Sequence, residues 1–348
     1  MIEALRAIAP GTPLRDGLDR VLQANKGALV VVGDGPDVLG ICSGGFLLDA
    51  EFTPQRLAEL AKTDGAIILA SDASRIARAN VHLVPSPDVP TSETGTRHRT
   101  AERVARSINV PVIAVSEDLS VITLYRRDSK HALDSVARLL GRANQALQTL
   151  ERYRDRLDSV TAALSALEVQ DLVTVRDVVT VLQRAEMVRR IAEEVEGYIV
   201  ELGTDGRLAD LQLDELMAGV EDERRDVVRD YLPEDDLQRA DAAVEKLGSL
   251  ATDQILLPQA VASVLDLDDN ADLEVGMQPR GYRLLGRIPR LPSAVISEVV
   301  QRHGTLQKVM RATTDDLASA DGVEPGTARA IKDGLARLAE SSILDRYT

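Results

Sequence analysis

The residues able to do chemistry in this 348-residue chain gather in two short stretches. Asp64-Gly65-Ala66 opens an apolar run, Ile67-Ile68-Leu69, and residues 91–100 read Thr-Ser-Glu-Thr-Gly-Thr-Arg-His-Arg-Thr. The first offers one carboxylate, a hard oxygen ligand for a divalent metal ion. The second offers Arg97, His98, Arg99 and several hydroxyls, all suited to phosphate oxygens. A metal held against a polyphosphate requires that combination. Alone, a DGA tripeptide is commonly a turn before a strand, and an Arg-His-Arg triplet is commonly a solvated basic face. Together, within an α/β pattern, they are far more specific.

These residues need elements to position them. Residues 66–70 form a short apolar run with polar flanks, which predicts a buried strand with Asp64-Gly65 at its mouth. Gly65 lacks a Cβ, so a ligand can approach the backbone there. After residue 100, Val104, Ala105 and Ile108 recur at helical spacing. Thr94 or Thr96 is the expected N-cap, with Gly95 letting the chain turn into the helix. Free N–H groups and the positive dipole end would then face an anion. Arg97, His98 and Arg99 fall in the first turn, where cations oppose the dipole unless an anion offsets them. Such a local conflict is expected at a functional site.

Other motifs point elsewhere. Gly33-Asp34-Gly35-Pro36 separates β-like runs at 28–32 and 38–41, which predicts a hairpin turn. Gly44-Gly45 reads as a turn after a strand. Neither a Walker A sequence nor a G-x-G-x-x-G before a helix is present, which excludes a P-loop or Rossmann site. Cys42, the single cysteine, reads as a small core residue. His82, His131 and His303 lack partners in sequence and read as structural or exposed. No His/Cys spacing suggests zinc.

Composition bounds the rest. The length implies two or three domains. Hydrophobic residues make up 44%, enough for proper cores, but aromatics only 2%, so Leu, Val, Ile and Ala must fill them. One cysteine, an N-terminus without signal-peptide architecture and no apolar run of spanning length lead to the expectation of a soluble cytoplasmic protein. The net charge of −15 argues against wholesale coating of nucleic acid. From Arg280 onward, however, eleven Lys/Arg face eight Asp/Glu, about +3, so any DNA contact belongs in that segment.

Three parts are expected. Residues 1–135 alternate strand and helix patterns, as in an α/β domain, with a helix at about 2–25 and strands at 28–32, 38–41, 66–70, 112–115 and 121–125. Residues 136–278 are helical. There Leu139, Ala143, Ala146, Leu150, Tyr153, Leu157, Val160, Leu164 and Leu167 step by four and three, a heptad seam for a long helix packed on a neighbour. A second helix at about 174–196 folds back, and helices from 208 to about 265 complete this spacer.

Residues 279–348 resemble a pair of helix-hairpin-helix repeats, residues 284–292 followed by 296–310, and 317–323 followed by 328–338. In that motif a tight hairpin aims backbone N–H groups at one DNA phosphate without reading sequence. The expected DNA contacts are Arg287, Arg290, Gly322, Gly326, Arg329 and Lys332. Glu324-Pro325 departs from the usual Gly-apolar-Gly, adding a negative charge and removing an N–H. The first hairpin, residues 288–292, contains no glycine.

The chain as a whole resembles the diadenylate cyclase family, through Asp64-Gly65-Ala66, residues 90–103, residues 27–33 (Gly-Ala-Leu-Val-Val-Val-Gly) and the domain order. The resemblance implies an α/β cyclase domain with a mixed central sheet, an all-α spacer and a C-terminal helix-hairpin-helix domain. It also implies condensation of two ATP into cyclic di-AMP with release of two pyrophosphates. Asp64 would bind Mg²⁺ or Mn²⁺ and help deprotonate the attacking hydroxyl. Arg97, His98 and Arg99 would hold the triphosphate and stabilise the leaving pyrophosphate. Thr96 and Thr100 would bond phosphate or ribose oxygens, Gly65 and Ala66 would border the nucleotide, Leu83 would lie beside adenine, and Ser116 would face the phosphates. A two-fold symmetric product requires two active sites face to face. The family implies an octamer, with branched or damaged DNA at the C-terminal part regulating catalysis. The competing readings are a catalytically silent nucleotide-binding DNA-repair adaptor and an oligomeric scaffold. The intact Asp64 and Arg97-His98-Arg99 disfavour the first, and the scaffold leaves the phosphate cluster unexplained.

Overall fold

The run Ala-Leu-Val-Val-Val at residues 28–32 is buried at every position, and a strand buried on both faces must lie inside a sheet covered on both sides. In the computed structural model, which describes residues 1–267 and 272–344, that strand sits at the centre of the N-terminal unit, Met1–Gln145 with Val195–Leu211. The elements run α1 (Ile2–Ala7), α2 (Pro13–Gln23), β1 (Ala28–Val32), α3 (Pro36–Gly40), β2 (Cys42–Ser43), β3 (Phe46–Glu51), α4 (Pro54–Leu60), β4 (Ala66–Leu69), β5 (Arg75–Leu83), α5 (Thr96–Ile108), β6 (Val112–Ser116), β7 (Val121–Arg126) and β8 (Ser129–Ala132). They build one eight-stranded sheet in the order β2-β5-β4-β1-β6-β7-β8, with β3 also on β5. β1 is parallel to β4 and antiparallel to β6. The sheet is therefore mixed, as expected.

Alternation along β1 splits the core in two. Val30 and Val32 face a cluster with Leu14, Leu18, Val21 and Leu57, from α2 and α4. Leu29 and Val31 face another with Ala101, Val104 and Ala105, from α5. Leu18, Val21, Leu57 and Val104 are each fully buried, and burying such a side chain contributes about 1.5–3 kcal/mol. The helix bearing Arg97-His98-Arg99 is thus fixed to the sheet by its apolar face.

Several expected elements take another form. Residues 38–41 are not a strand, and β1 does not turn back in a hairpin. Pro36 instead begins α3, a position where its missing N–H is harmless and its fixed φ suits a helix. The single helix expected at 2–25 is two helices. The chain breaks at Pro10, and Thr12 recaps α2 by accepting the Arg15 N–H at 3.2 Å. The Gly44-Gly45 turn does follow a strand, the short β2. Strands β2, β3, β5 and β8 carry too many polar or exposed residues to stand out in sequence.

The other unit, Ala146–Glu194 with Gln212–Thr348, is helical. Two long helices, α6 (Val136–Gln170) and α7 (Val175–Leu202), and the shorter α8 (Arg207–Met217) have residues in both units; α9 (Val220–Tyr231), α10 (Leu237–Ser249), α11 (Thr252–Ile255), α12 (Pro258–Ala262), α13 (Tyr282–Gly286), α14 (Ser293–His303), α15 (Leu306–Arg311), α16 (Thr314–Ala318) and α17 (Pro325–Leu344) follow. The buried stripe of α6 follows Leu139, Ala143, Leu147, Leu150, Leu157, Thr161, Leu164 and Glu168. It drifts off the strict heptad, as a straight helix must, so Ala146, Tyr153, Val160 and Leu167 are only half-buried. The stripe ends on a carboxylate because Arg283 lies against Glu168. The helix expected at 296–310 is interrupted by Gly304 and forms α14 and α15.

Candidate active site

Strand direction brings the predicted residues together. β1 and β4 are parallel, so Gly27 and Asp64-Gly65, which precede them, lie at one end of the sheet. β6 runs the other way, and its last residue, Ser116, reaches the same end. There a cleft of about 510 Å³ is lined by Asp64, Gly95, Thr96, Arg97, His98, Val115, Ser116, Glu117 and Asp118. Arg97 Nη2 lies 3.5 Å from the fully exposed Asp64 carboxylate.

Two glycines make this possible. A Cβ at Gly27 would stand 2.1 Å from Arg97 Nη1, so the guanidinium lies over the bare Gly27 backbone. A Cβ at Gly65 would stand 2.6 Å from the Asn80 backbone of β5. The small residue in Asp-Gly-Ala therefore has an intramolecular reason, the closeness of β5, rather than ligand access alone.

Helix α5 begins at Gly95, with no side-chain cap. The expected cap by Thr94 or Thr96 does not form. Thr96 is the first helical residue, and Arg99 N–H makes the first intrahelical bond, to the Gly95 carbonyl at 2.9 Å. The preceding N–H groups are left for an anion. The loop before the helix is tied down by α5 itself. Glu102 accepts from the Thr91 hydroxyl and from Ser92 N–H at 3.0 Å, and pairs with Arg106 at 3.1 Å. Arg103 donates to the Val89 carbonyl at 2.9 Å.

That loop also places Glu93 behind His98. The Tyr125 hydroxyl donates to Glu93 Oε1 at 3.0 Å, and Lys130 donates to the same oxygen. A hydroxyl has one proton, so Tyr125 can only accept from His98 Nδ1, 2.8 Å away. The tautomer of neutral His98 follows: Nδ1 carries the proton and Nε2 is bare. Burial holds His98 below its ordinary pKa, assisted by Lys130 and Arg97 and opposed by Glu93. Burial also works against the charge on Glu93, but the bonds from Lys130 and Tyr125 outweigh it and keep the carboxylate ionised.

Of the residues expected from sequence, Asp64, Thr96, Arg97, His98 and Ser116 line the cleft, with Gly65 next to Asp64. Ser116 Oγ accepts from Leu119 N–H at 3.2 Å. Ala66, Leu83, Arg99 and Thr100 do not line it. Ala66 and Leu83 are buried in β4 and β5, with Leu83 paired to Cys42, while Arg99 is exposed. Cys42 itself is only half-buried, its thiol donating to the Val38 carbonyl at 3.1 Å. Sequence reasoning missed Gly27, Glu93, Glu117, Asp118, Tyr125 and Lys130. Glu93 lay inside the decisive segment, but its partners are in other strands.

A divalent cation fits the donor set. Mg²⁺ and Mn²⁺ typically take one or two protein carboxylates and complete their shell with substrate phosphates and water. An exposed Asp64 beside phosphate-binding groups matches that pattern. No group of three or more His, Cys, Asp or Glu placed to hold a metal ion is found among the described residues.

The family model for the DisA bacterial checkpoint controller nucleotide-binding region matches residues 15–130, and the DisA linker region matches residues 133–274. DNA integrity scanning protein DisA of Frankia alni is 56% identical over 345 residues, covering 99% of this chain and 96% of that protein. The DisA of Streptomyces coelicolor is 54% identical over 351 residues, covering 100% and 94%. The chain belongs to the DisA family. It is a diadenylate cyclase, with an α/β cyclase domain followed by a long helical linker. A solved DacA structure from Staphylococcus aureus is 23% identical over 35% of this chain and 85% of that one, at a TM-score of 0.29, and carries no argument. No helix among the described residues is long and apolar enough to cross a membrane.

Beyond the DisA linker match, the residues expected to touch DNA fall into two groups. Arg287 donates to Ser165 at 2.9 Å and pairs with Glu223 at 3.4 Å. Lys332 donates to the Met310 carbonyl at 2.7 Å. Both are engaged within their own unit. Arg290 and Arg329 are exposed. Arg290 and Gly322 occupy the turns after α13 and α16 with φ of 62° and 74°, so an arginine fills the left-handed position where a glycine is usual. Gly326 and Pro325 lie in the first turn of α17.

Proposed function

We propose that two copies of the cyclase domain meet face to face, each with ATP in its cleft, and condense the pair into cyclic di-AMP and two pyrophosphates. Each step is an in-line attack of a ribose 3′-hydroxyl on the opposite α-phosphate. The O–P bond forms as the bond to pyrophosphate breaks, and the hydroxyl proton passes to the Asp64 carboxylate. Catalysis of this kind is positioning and charge stabilisation. Arg97 and the free N–H groups of α5 hold the triphosphate. His98, fixed by Tyr125, turns Nε2 to the nucleotide. Thr96 and Ser116 bond oxygens, Gly65 borders the nucleotide, and Arg99 adds positive charge from the rim; Thr100, Ala66 and Leu83, outside the cleft lining, meet the nucleotide only where it extends beyond the cleft. Asp64 would hold Mg²⁺ or Mn²⁺, which would supply charge neutralisation on the phosphates.

The observation that carries this reading is the convergence of Asp64, Arg97, His98 and Ser116 in one cleft at a helix N-terminus. The assembly would be an octamer in the cytoplasm, and the domains would divide near residues 135 and 278. We further propose that residues 279–348 act as a helix-hairpin-helix domain through which branched or damaged DNA regulates catalysis. The name of the relatives and the two helix-turn-helix pairs, α13–α14 and α16–α17, support this. The test is incubation with ATP and either metal, with products identified by mass. Cyclic di-AMP from the wild type and its loss in Asp64→Asn are expected; full activity in that variant would refute the metal role.

A further inference from the structure

In the helical unit, a cleft of about 450 Å³ between α14, α15 and α16 is lined by Arg302, His303, Lys308, Arg311, Ala312, Asp316 and Ser319. We infer that this cleft seats the sugar–phosphate backbone of DNA, as a contact surface separate from the two hairpin turns. The inference rests on the proposal that the C-terminal part binds DNA.

Four observations converge on it. Arg302, Lys308 and Arg311 have no ion-pair partner among the described residues, in a chain of net charge −15 whose arginines are otherwise widely paired. Uncompensated cations in a concave surface focus a positive potential. Burial holds the His303 pKa below its ordinary value, with Arg302 and Lys308 acting in the same direction and Asp316 opposing them. The His303 Nε2 is buried in the cleft wall without a hydrogen-bond partner among the described residues. Asp316, the carboxylate in the lining, accepts from the Thr313 N–H and hydroxyl through one oxygen as a helix cap and offsets part of the Arg302 charge, which leaves three cations facing one carboxylate. On the hairpin side Arg287 and Lys332 are engaged internally and Glu324 stands in the second turn, which leaves Arg290 and Arg329 as the exposed cations there.

Each residue plays a defined part. Lys308 is a point charge, whereas the two guanidinium groups can make paired bonds to phosphate oxygens. Such contacts fix position on a duplex and carry no sequence information, which suits a protein that recognises DNA form.

The test is fluorescence anisotropy of a labelled four-way junction and a linear duplex with the full-length protein at several salt concentrations. The variants are Arg302→Ala/Lys308→Ala/Arg311→Ala and, for the hairpins, Arg290→Ala/Arg329→Ala. Thermal melting by circular dichroism checks that each is folded. The cleft variant should lose at least tenfold in affinity and flatten the log–log salt slope by about 3, close to 0.9 per lost phosphate contact. The hairpin variant should lose less. A folded cleft variant with unchanged affinity and salt slope would overturn the inference and leave the DNA reading standing. A wild type that binds neither DNA would overturn both. The double variant Arg302→Ala/Arg311→Ala, which keeps Lys308, should fall between wild type and the triple variant; equality with wild type counts against the cleft.

Discussion

His98 Nδ1 and the Tyr125 hydroxyl oxygen lie 2.8 Å apart, and that one bond decides which nitrogen of the histidine faces the cleft. Tyr125→Phe removes the acceptor while keeping the ring that fills the core. Loss of one such bond costs on the order of 1 kcal/mol, so kcat/KM should fall roughly fivefold to tenfold with a melting temperature close to wild type. An unchanged kcat/KM would show that the Glu93–Tyr125–His98 chain does not position the histidine.

Gly27 and Gly65 should separate activity from stability. The atom that a Cβ at Gly27 would strike belongs to the mobile tip of Arg97, so Gly27→Ala should fold and displace the guanidinium. Its KM for ATP should rise about tenfold, the usual scale of one charge-assisted contact. The atoms that a Cβ at Gly65 would strike are backbone of β5. Gly65→Ala should therefore destabilise the domain by about 1–3 kcal/mol, seen as a lower denaturation midpoint. Equal behaviour of the two variants in both assays would contradict this division.

His131 Nε2 lies 2.8 Å from Glu201 Oε2, joining β8 to α7 within the N-terminal unit. The bond to Glu201 raises the histidine pKa against the effect of burial. A raised value in the folded state means stability that is fully present below the unfolded value, about 6.5, and lost as pH rises through the folded value. The difference in melting temperature between wild type and His131→Gln should accordingly be larger at pH 6 than at pH 8.5. A difference independent of pH would refute the charged pair.

Arg283 and Glu168 form a buried pair, with Tyr231 donating to Glu168 at 2.8 Å and Arg283 donating to Ser165 at 3.0 Å. Removing one partner of such a pair leaves an uncompensated charge, at a cost of about 3–5 kcal/mol. Arg283→Met should destabilise the helical unit by that amount, and Arg283→Met/Glu168→Leu should recover part of it. Chemical denaturation measures both; additive losses would mean that the two side chains are not coupled.

How far the fold was legible depended on local pattern. Strands β1, β4, β6 and β7 are short apolar runs, and apolarity is a property of neighbours in sequence. α5 and the long helices declare themselves through spacing. Strand β5 did not, because its buried Ala79, Val81 and Leu83 alternate with Arg78, Asn80 and His82 on the other face, which leaves no unbroken apolar run, and bulges break its register. Residues 38–41 misled because a short apolar run has no period of its own, and Pro36 decided it as a helix start.

By itself the sequence determined the chemistry available: one carboxylate of the kind a hard metal ion takes, a basic triplet at a helix start of the kind that suits phosphate, and an acidic chain with a basic C-terminal segment. Those are facts of residue type and short spacing. Only the tertiary structure decided which groups meet. The partners of His98 are 27 positions away in Tyr125 and, beyond it, in Glu93, and the arginine expected on DNA at Arg287 is held by Ser165, 122 positions distant. Sheet order and helix packing bring such residues together, and no local propensity encodes a contact made across that separation.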